Sequence, residues 1–136
     1  MLQYLRSTNS DSVISPQENL QSGSWVRCER PSDEEVSQLL TLGLDEDLIS
    51  DALDPHEVPR IEFDDEWTYL IARLPDTDDD FNDFTTPILF CINKDHIVTL
   101  SRDSLGRLWQ PFIDKVRIRT DRQVELLVAM VEAIST

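Results

Sequence analysis

The sequence predicts a single domain of the mixed α/β (α+β) class. Two hydrophobic periods indicate this: residues 60–64 alternate apolar and polar side chains as a half-buried strand does, and the apolar residues of 124–134 recur at helical spacing. The chain has 136 residues, of which 40% are hydrophobic, and this is enough to bury one core. We therefore treat residues 1–136 as one domain.

The first third of the chain contains two candidate strands and one helix. We predict, in order, a short edge strand at 1–5, a polar loop at 7–24, a strand at 24–28 and a helix that begins near Ser32. Ser32 and Glu35 have the spacing of a capping box, and Gly43 is suited to end the helix. Residues 1–23 are accordingly expected to be partly loop.

Short elements alternate in the middle of the chain. We predict, in order, a helix at 45–53, strands at 60–64 and 67–74, an acidic loop at 76–83, and strands at 87–92 and 96–100 around a turn at 93–95. Pro55 and Pro59 keep the helix from continuing. The alternation at 60–64 predicts that Ile61 and Phe63 face the core.

Two helices close the chain. One is predicted at 104–116, although Gly106 and Pro111 are poor helix formers, and the other at 120–136. Thr120 and Gln123 again have capping-box spacing. Because no Gly, Pro or basic turn ends the last helix, we expect the sequence to be a piece of a longer protein, cut within a longer helix.

The charge of the chain limits its partners. Twelve basic and 27 acidic residues give a net charge of -15 at pH 7, which repels nucleic-acid phosphates and anionic lipid headgroups and attracts cations or basic protein surfaces. No apolar window is long enough to span a membrane, and no secretory signal is present. Cys28 and Cys91 form no CxxC pair, and Cys91 lies in an apolar run typical of a buried thiol. We expect a cytoplasmic polypeptide that binds no nucleic acid and does not itself insert into the membrane.

No pattern typical of an enzyme occurs in the sequence. His56 and His96 have no partner at zinc-ligand spacing, and three glycines leave little scope for a phosphate-binding loop. Serine, histidine and aspartate do not occur in a nucleophile-elbow context. Trp25, Trp67 and Trp109 are interpreted as packing residues rather than a ligand cage.

The helix at 45–53 carries the most informative polar pattern. Asp47, Asp51 and Asp54 follow each other at i, i+4 and i+7, so they form an acidic stripe opposite the apolar face. Carboxylate oxygens are the ligands that Mg2+ and Ca2+ require, and a bound cation would offset the repulsion between them. The residues alone leave a second interpretation open, namely a solvated face of a very acidic protein.

The acidic loop at 76–83 does not match a calcium-binding EF-hand. Counting from Asp76 puts Phe81 where the sharp turn needs glycine, and Pro87 where the bidentate glutamate should stand. We interpret this segment as a solvated hairpin loop, with weak adventitious cation binding as the alternative.

Residues 43–70 resemble the N-terminal domain of CorA-type magnesium transporters. The matching features are a Gly-hydrophobic start at 43–44, a short helix with Asp51 near its end, a Pro-basic-hydrophobic-Glu segment at 59–62, an acidic turn at 64–66 and an aromatic-rich strand from Trp67. Trp25, Pro31, the hairpin at 88–100 and the helix at 121–134 are also similar to the family, so the resemblance covers about 24–136. Each motif is degenerate, and their order and spacing carry the resemblance.

The resemblance implies an α/β/α sandwich, with a mixed, largely antiparallel sheet covered by helices, in a homopentamer below the membrane. It also implies a regulatory role. In the family, an aspartate of the short helix faces an acidic stalk residue of a neighbouring subunit with Mg2+ between them, and loss of the ion loosens the subunit contacts. The matching position is Asp51, and we expect Asp47 and Asp54 to hold waters of the same weakly bound ion. That ion is Mg2+, or Co2+ or another divalent cation.

Several features of the family are absent from these residues. The stalk helix, the transmembrane helices and the Gly-Met-Asn pore signature do not occur, so the expected partners are the protein's own stalk and membrane region. We expect the isolated fragment to be a monomer or weak dimer. Ser50 stands where some relatives have an acidic residue, which would weaken a second metal site.

Two alternatives to a sensor domain of a Mg2+ (Co2+/Ni2+) transporter remain. The chain would fit an acidic protein-interaction module for a basic partner, without a specific metal site. It would equally fit the same domain of a zinc-transporting relative, which is similar over this region.

Overall fold

The computed structural model describes residues 1–9, 13–77 and 83–135. Seven strands and four helices lie in these residues. In chain order they are β1 (Leu2–Arg6), β2 (Ser15–Gln17), β3 (Trp25–Glu29), α1 (Asp33–Thr41), α2 (Glu46–Ala52), β4 (Arg60–Phe63), β5 (Thr68–Thr77), β6 (Asp83–Ile92), β7 (Ile97–Ser101), α3 (Gly106–Lys115) and α4 (Gln123–Ile134).

The strands form one mixed sheet in the order β2-β1-β3-β7-β6-β5-β4. Within this sheet, β3 and β7 pair in parallel and the other neighbouring strands pair antiparallel. Helices α1 and α2 pack on one face, and α3 and α4 pack on the other. The predicted α/β/α sandwich with a largely antiparallel sheet is confirmed.

Each face of the sheet has its own hydrophobic core. The side chains of one strand alternate between the two cores, so Val26 and Cys28 of β3 face α1 and α2, whereas Trp25 faces α3 and α4. Trp25, Trp109 and Phe112 meet edge to face, with ring centroids 5.1 to 6.0 Å apart. The tryptophans are packing residues, as predicted, since Trp25, Trp67 and Trp109 are all buried.

The start of α1 is fixed by local hydrogen bonds. The Glu35 N–H donates to Oγ of Ser32 (3.2 Å), and the Ser32 N–H donates to Oε1 of Glu35 (3.0 Å), so the predicted capping box is present. The same carboxylate oxygen accepts from the N-terminal ammonium of Met1 at 2.9 Å, and this bond, the largest cause, lowers the pKa of Glu35. Gly43 follows the helix with φ of +93°, a conformation that glycine adopts without strain.

A buried ion pair lies on β3 beside Trp25. Arg27 and Glu29 point to the same face, and Glu29 accepts from Nε of Arg27 at 2.6 Å and from Nη2 at 3.0 Å. The backbone N–H of Leu105, directly before α3, also donates to Glu29 at 2.9 Å. Because Glu29 is almost fully buried, these bonds replace its lost hydration and hold the start of α3 against the sheet.

The N-terminal predictions need two corrections. The strand at 1–5 is present as β1, but it is not an edge strand, because β2 pairs with it on the outer side. Strand β2 lies inside the segment 7–24 that was predicted to be loop. Pro16 at its centre has no N–H to donate, which is tolerated at the outer edge of a sheet.

The prediction that Ile61 and Phe63 face the core is wrong. Ile61 is 61% exposed and Phe63 is 75% exposed. Both belong to β4, the last strand of the sheet, and neither belongs to either core cluster of the described residues. The period of two correctly indicated a strand, but it carries no information on whether a helix covers that strand.

The strand pair that flanks the acidic loop is longer than predicted. Asp76, Thr77 and Asp83, expected in the loop 76–83, lie in β5 and β6, where Thr77 pairs with Asp83. The rest of that predicted loop, 78–82, falls outside the described residues. The turn at 93–95 is confirmed: Oδ1 of Asn93 accepts the N–H groups of Asp95 (2.9 Å) and His96 (2.7 Å).

The capping box predicted at Thr120 and Gln123 is wrong. The Thr120 hydroxyl is buried and exchanges hydrogen bonds with the Ser7 backbone, accepting from its N–H (2.9 Å) and donating to its carbonyl (3.0 Å). The Gln123 amide donates to the carbonyl of Lys94 instead. Helix α4 therefore begins later than predicted, and it ends at Ile134. No helix in the described part of the chain is both long and apolar enough to cross a membrane.

The Thr120 contact generates a stability prediction. Thr120→Val keeps the shape but leaves the buried N–H of Ser7 without its acceptor, so the free energy of unfolding should fall by about 1–3 kcal/mol. Urea denaturation measures this change. The control is Thr41→Val, whose exposed hydroxyl donates only to Ser37 of its own helix; it should change stability by less than about 0.5 kcal/mol. Equal effects of the two substitutions would contradict a role for the Ser7–Thr120 contact.

Candidate metal site

Helix α2 presents the acidic residues that the sequence singled out. Its N-cap, Asp45, accepts from the N–H groups of Asp47 (2.9 Å) and Leu48 (3.1 Å). Leu48, Ile49 and Ala52 are buried in the core and fix the rotation of the helix. Asp47 and Asp51 are consequently held on the outer side of a helix that is anchored from within.

The start of α2 is also tied to the turn between β4 and β5. The buried Tyr69 hydroxyl accepts from the Asp45 N–H (3.0 Å) and donates to Oδ2 of Asp64 (2.7 Å). Burial, with the bond to Asp64 as a second cause, raises the pKa of Tyr69, so this hydroxyl keeps its proton. The bond links α2 to the strand pair on which Arg60 lies.

Asp51 forms an ion pair with the first residue of β4. Nη2 of Arg60 donates to Oδ2 of Asp51 at 2.5 Å, Nη1 contacts Oε1 of Glu57, and Nε donates to Oε1 of Glu62 at 3.1 Å. One guanidinium thus forms ion pairs with three carboxylates. The hydrogen bond that Arg60 donates to Asp51 is the largest cause that raises the pKa of Arg60.

Asp47 and Asp54 do not form a common metal site with Asp51 in the described structure. The helix ends at Ala52, and Oδ1 of Asp54 accepts the N–H of His56 (2.9 Å) in a turn of its own. Asp47 is exposed one turn before Asp51. Among the described residues, no group of three or more histidine, cysteine or acidic side chains is arranged to hold a metal ion.

The Asp51 carboxylate keeps one oxygen that carries no donor in the described structure. Arg60 occupies Oδ2, whereas within the described ranges no donor is bonded to Oδ1, and the side chain is 39% exposed. Mg2+ commonly takes one or two carboxylates and keeps several waters. Asp51 can supply one ligand, but the residues that the structure describes build no multi-carboxylate site around it.

A second acidic feature lies beside the turn at 93–95. A cavity of about 690 Å3 is lined by Thr41, Leu42, Asp65, Glu66, Asn93, Lys94, Asp95 and His96. Nδ1 of His96 is buried there without a hydrogen-bond partner in the described structure. Burial lowers the pKa of His96, against the opposing effect of Asp95. The cavity does not include Asp47, Asp51 or Asp54.

The two thiols offer no metal ligand. Cys28 and Cys91 are free and buried on the α1/α2 side of the sheet. Burial is the main cause that raises the pKa of Cys28 to about 12, and it also raises the pKa of Cys91. Both thiols stay protonated at neutral pH, and the prediction that Cys91 is buried is confirmed.

Sequence reasoning missed the role of Arg60 and its two glutamates. The only signal was the order of charges at 57–62, where one arginine stands among acidic residues. Contact with Asp51 depends on how β4 lies against α2, which no period in the sequence describes.

Known proteins resemble this chain over most of its length. A family model described as CorA-like Mg2+ transporter protein matches residues 21–135. The chain is 30% identical over 88 residues to the cobalt/magnesium transport protein CorA of Methanocaldococcus jannaschii, and the alignment covers 62% of this chain and 27% of that protein. The chain thus matches only about a quarter of the length of that relative.

The fold is similar to that of solved structures. The soluble domain of CorA from Methanocaldococcus jannaschii has a TM-score of 0.78 at 22% identity, covering 99% of this chain and 56% of that one. The cytoplasmic domain of ZntB from Vibrio parahaemolyticus has a TM-score of 0.65 at 14% identity, covering 97% of this chain and 56% of that one. At these identities the likeness establishes the fold, and the chain spans about half of each structure.

The half-buried imidazole of His96 leads to a pH prediction. The pKa of His96 is lowered in the folded chain, so on acidification the unfolded chain takes up the proton first. The free energy of unfolding is therefore retained above pH 6.5, the ordinary pKa of histidine, and falls as the pH drops below that value. Thermal midpoints should fall more steeply in the wild type than in His96→Gln between about pH 7 and pH 5.5. His56→Gln, at an exposed loop position, should keep the wild-type slope. A His96→Gln slope equal to that of the wild type would refute the assignment.

Proposed function

Because the chain belongs to the family of CorA-like Mg2+ transporter proteins, we propose that it is a regulatory, divalent-metal-sensing domain of such a transporter. The family is the one that the resemblance over residues 24–136 predicted. It would lie on the cytoplasmic side of the membrane. The protein that carries it would transport Mg2+, Co2+ or a similar divalent cation as its cargo. In this reading the domain is not an enzyme.

One observation supports Asp51 as the sensing residue. Its carboxylate is partly exposed on a helix whose opposite face is buried. Asp51 is also the residue to which the family resemblance assigns the regulatory role. A ligand on an anchored helix loses little conformational freedom when an ion binds. A flexible acidic loop would lack this advantage.

The sensing step follows from the charge at this surface. Asp51 would face an acidic stalk residue of a neighbouring subunit, and two carboxylates at short range repel each other. A bound Mg2+ supplies the positive charge that removes this repulsion. When the cytoplasmic Mg2+ concentration falls, Asp51 and its counterpart separate and the subunit contact weakens. Asp47 and Asp54 add negative potential and hold water near the site rather than bind the ion directly.

The proposed partners are other parts of the same protein. The stalk would supply the second carboxylate and the membrane region would carry the ions, in a homopentamer. The 136-residue chain by itself is expected to be a monomer or weak dimer, because a net charge of -15 opposes self-association.

A second candidate function has its own support. Ile61 and Phe63 are exposed beside an acidic surface, as in a docking site for a protein with a basic and apolar face. In that case the chain is an interaction module and Asp51 only pairs with Arg60. A zinc-transporting parent, which the sequence resemblance left open, is a further alternative; the likeness to ZntB is one of fold alone.

Magnesium titration followed by amide NMR tests the sensor proposal. Mg2+ should shift resonances of residues 47–54 with an apparent Kd of about 1 mM, as expected for a site with few carboxylates, and Asp51→Ala should abolish these shifts. Asp114→Ala, an exposed acidic position on α3, is the control and should leave them unchanged.

Two outcomes would contradict the sensor proposal. Shifts that persist in Asp51→Ala would mean that the ion binds elsewhere. Shifts spread evenly over the acidic surface, and equally reduced by both substitutions, would mean general screening of charge and would favour the interaction module.

A further inference from the structure

Arg60 is the focus of the charges around Asp51. Its guanidinium contacts Asp51 from α2, Glu57 from the loop after α2, and Glu62 from its own strand. The arginine side chain is 27% exposed, so the contacts lie at the surface but not in free solution. All three nitrogens of the guanidinium (Nε, Nη1 and Nη2) donate, each to a different carboxylate.

We propose that Arg60 competes with divalent ions for the Asp51 carboxylate and thereby sets the affinity of this carboxylate for them. The inference rests on the proposed function, because it concerns the same aspartate. A Mg2+ ion that binds Asp51 has to share the carboxylate with the guanidinium or displace it. Arg60 therefore keeps binding weak, so the site fills only when the ion is abundant.

Electrostatics gives this competition its direction. With Arg60 in place, the three carboxylates and the guanidinium carry a net charge of about -2; without it they carry about -3. A second cation close to Arg60 is repelled by it, and at Asp51 it finds Oδ2 already bonded to a donor. Removing the guanidinium raises the local negative potential and frees Oδ2 of Asp51 for the incoming ion.

The contacts of Arg60 distinguish it from an ordinary surface ion pair. Most partly exposed pairs join one cation to one anion and add little to stability. Arg119 provides such a case on this chain: its Nη2 lies 2.5 Å from Oδ2 of Asp121, with no second carboxylate partner among the described residues. Arg60 instead contacts carboxylates from a helix, a loop and a strand. One of these carboxylates, Asp51, is the proposed sensor.

Calorimetric and NMR titration of the 136-residue chain with Mg2+ tests the proposal. Arg60→Gln should tighten the apparent Kd at residues 47–54 about tenfold, the factor that corresponds in water to the repulsion between a divalent ion and a unit positive charge about 6 Å apart. Arg60→Lys keeps the charge and should restore an affinity close to that of the wild type. Arg119→Gln removes the same charge from the matched pair and should leave the Kd at residues 47–54 unchanged. Thermal unfolding of each variant confirms that it is folded.

The outcomes separate this inference from the proposed function. If Arg60→Gln leaves the Kd unchanged, or Arg119→Gln tightens it equally, Arg60 is not the competing cation, whereas Asp51 can still be the sensor. If Arg60→Gln tightens binding and the added substitution Asp51→Ala does not reverse the gain, the ion uses another carboxylate and the inference fails. If the single variant Asp51→Ala loses the Mg2+-induced shifts seen in the wild type, this result supports the proposed function and does not test the role of Arg60.

Discussion

The parallel pairing of β3 with β7 holds the two halves of the sheet together. On one side lie β1 and β2, on the other β6, β5 and β4, and each half is antiparallel within itself. All residues of β3 and β7 are buried, so neither strand can shift its register without exposing core residues or the Arg27–Glu29 pair. Residues of these two strands contribute to both hydrophobic cores, and the bond that Leu105 donates to Glu29 ties the start of α3 to β3.

The region around Asp51 depends on this frame from two directions. Helix α2 is placed by its buried residues and by Tyr69, whereas Arg60 is placed by the pairing of β4 with β5. The pair is formed because a helix and an edge strand are held at a fixed distance. The same arrangement leaves the other face of β4 uncovered, which is why apolar and charged side chains occur together at this end of the molecule.

Local signals in the sequence predicted local structure well. The box of Ser32 and Glu35 involves only neighbouring backbone groups, so its spacing was sufficient. The same spacing at Thr120 and Gln123 failed because Ser7, distant in sequence, takes the hydroxyl. For the candidate site, the family resemblance proposed Asp51, whereas the Arg60 contact is tertiary and no pattern in the sequence predicts it. Ile61 and Phe63 show the same limit: the alternation identified the strand, and its place at the edge of the sheet decided the exposure.

The parallel pair also has a consequence for the rate of folding. Trp25 lies opposite Ile97, so more than half of the chain must be ordered or looped out before these strands can meet. By contrast, β5, β6 and β7 follow each other along the chain and pair as successive hairpins. Contacts of low sequence separation form with a smaller loss of chain entropy. The C-terminal strands are therefore expected to assemble first, and the arrival of the N-terminal strands to limit the rate at which the domain becomes native.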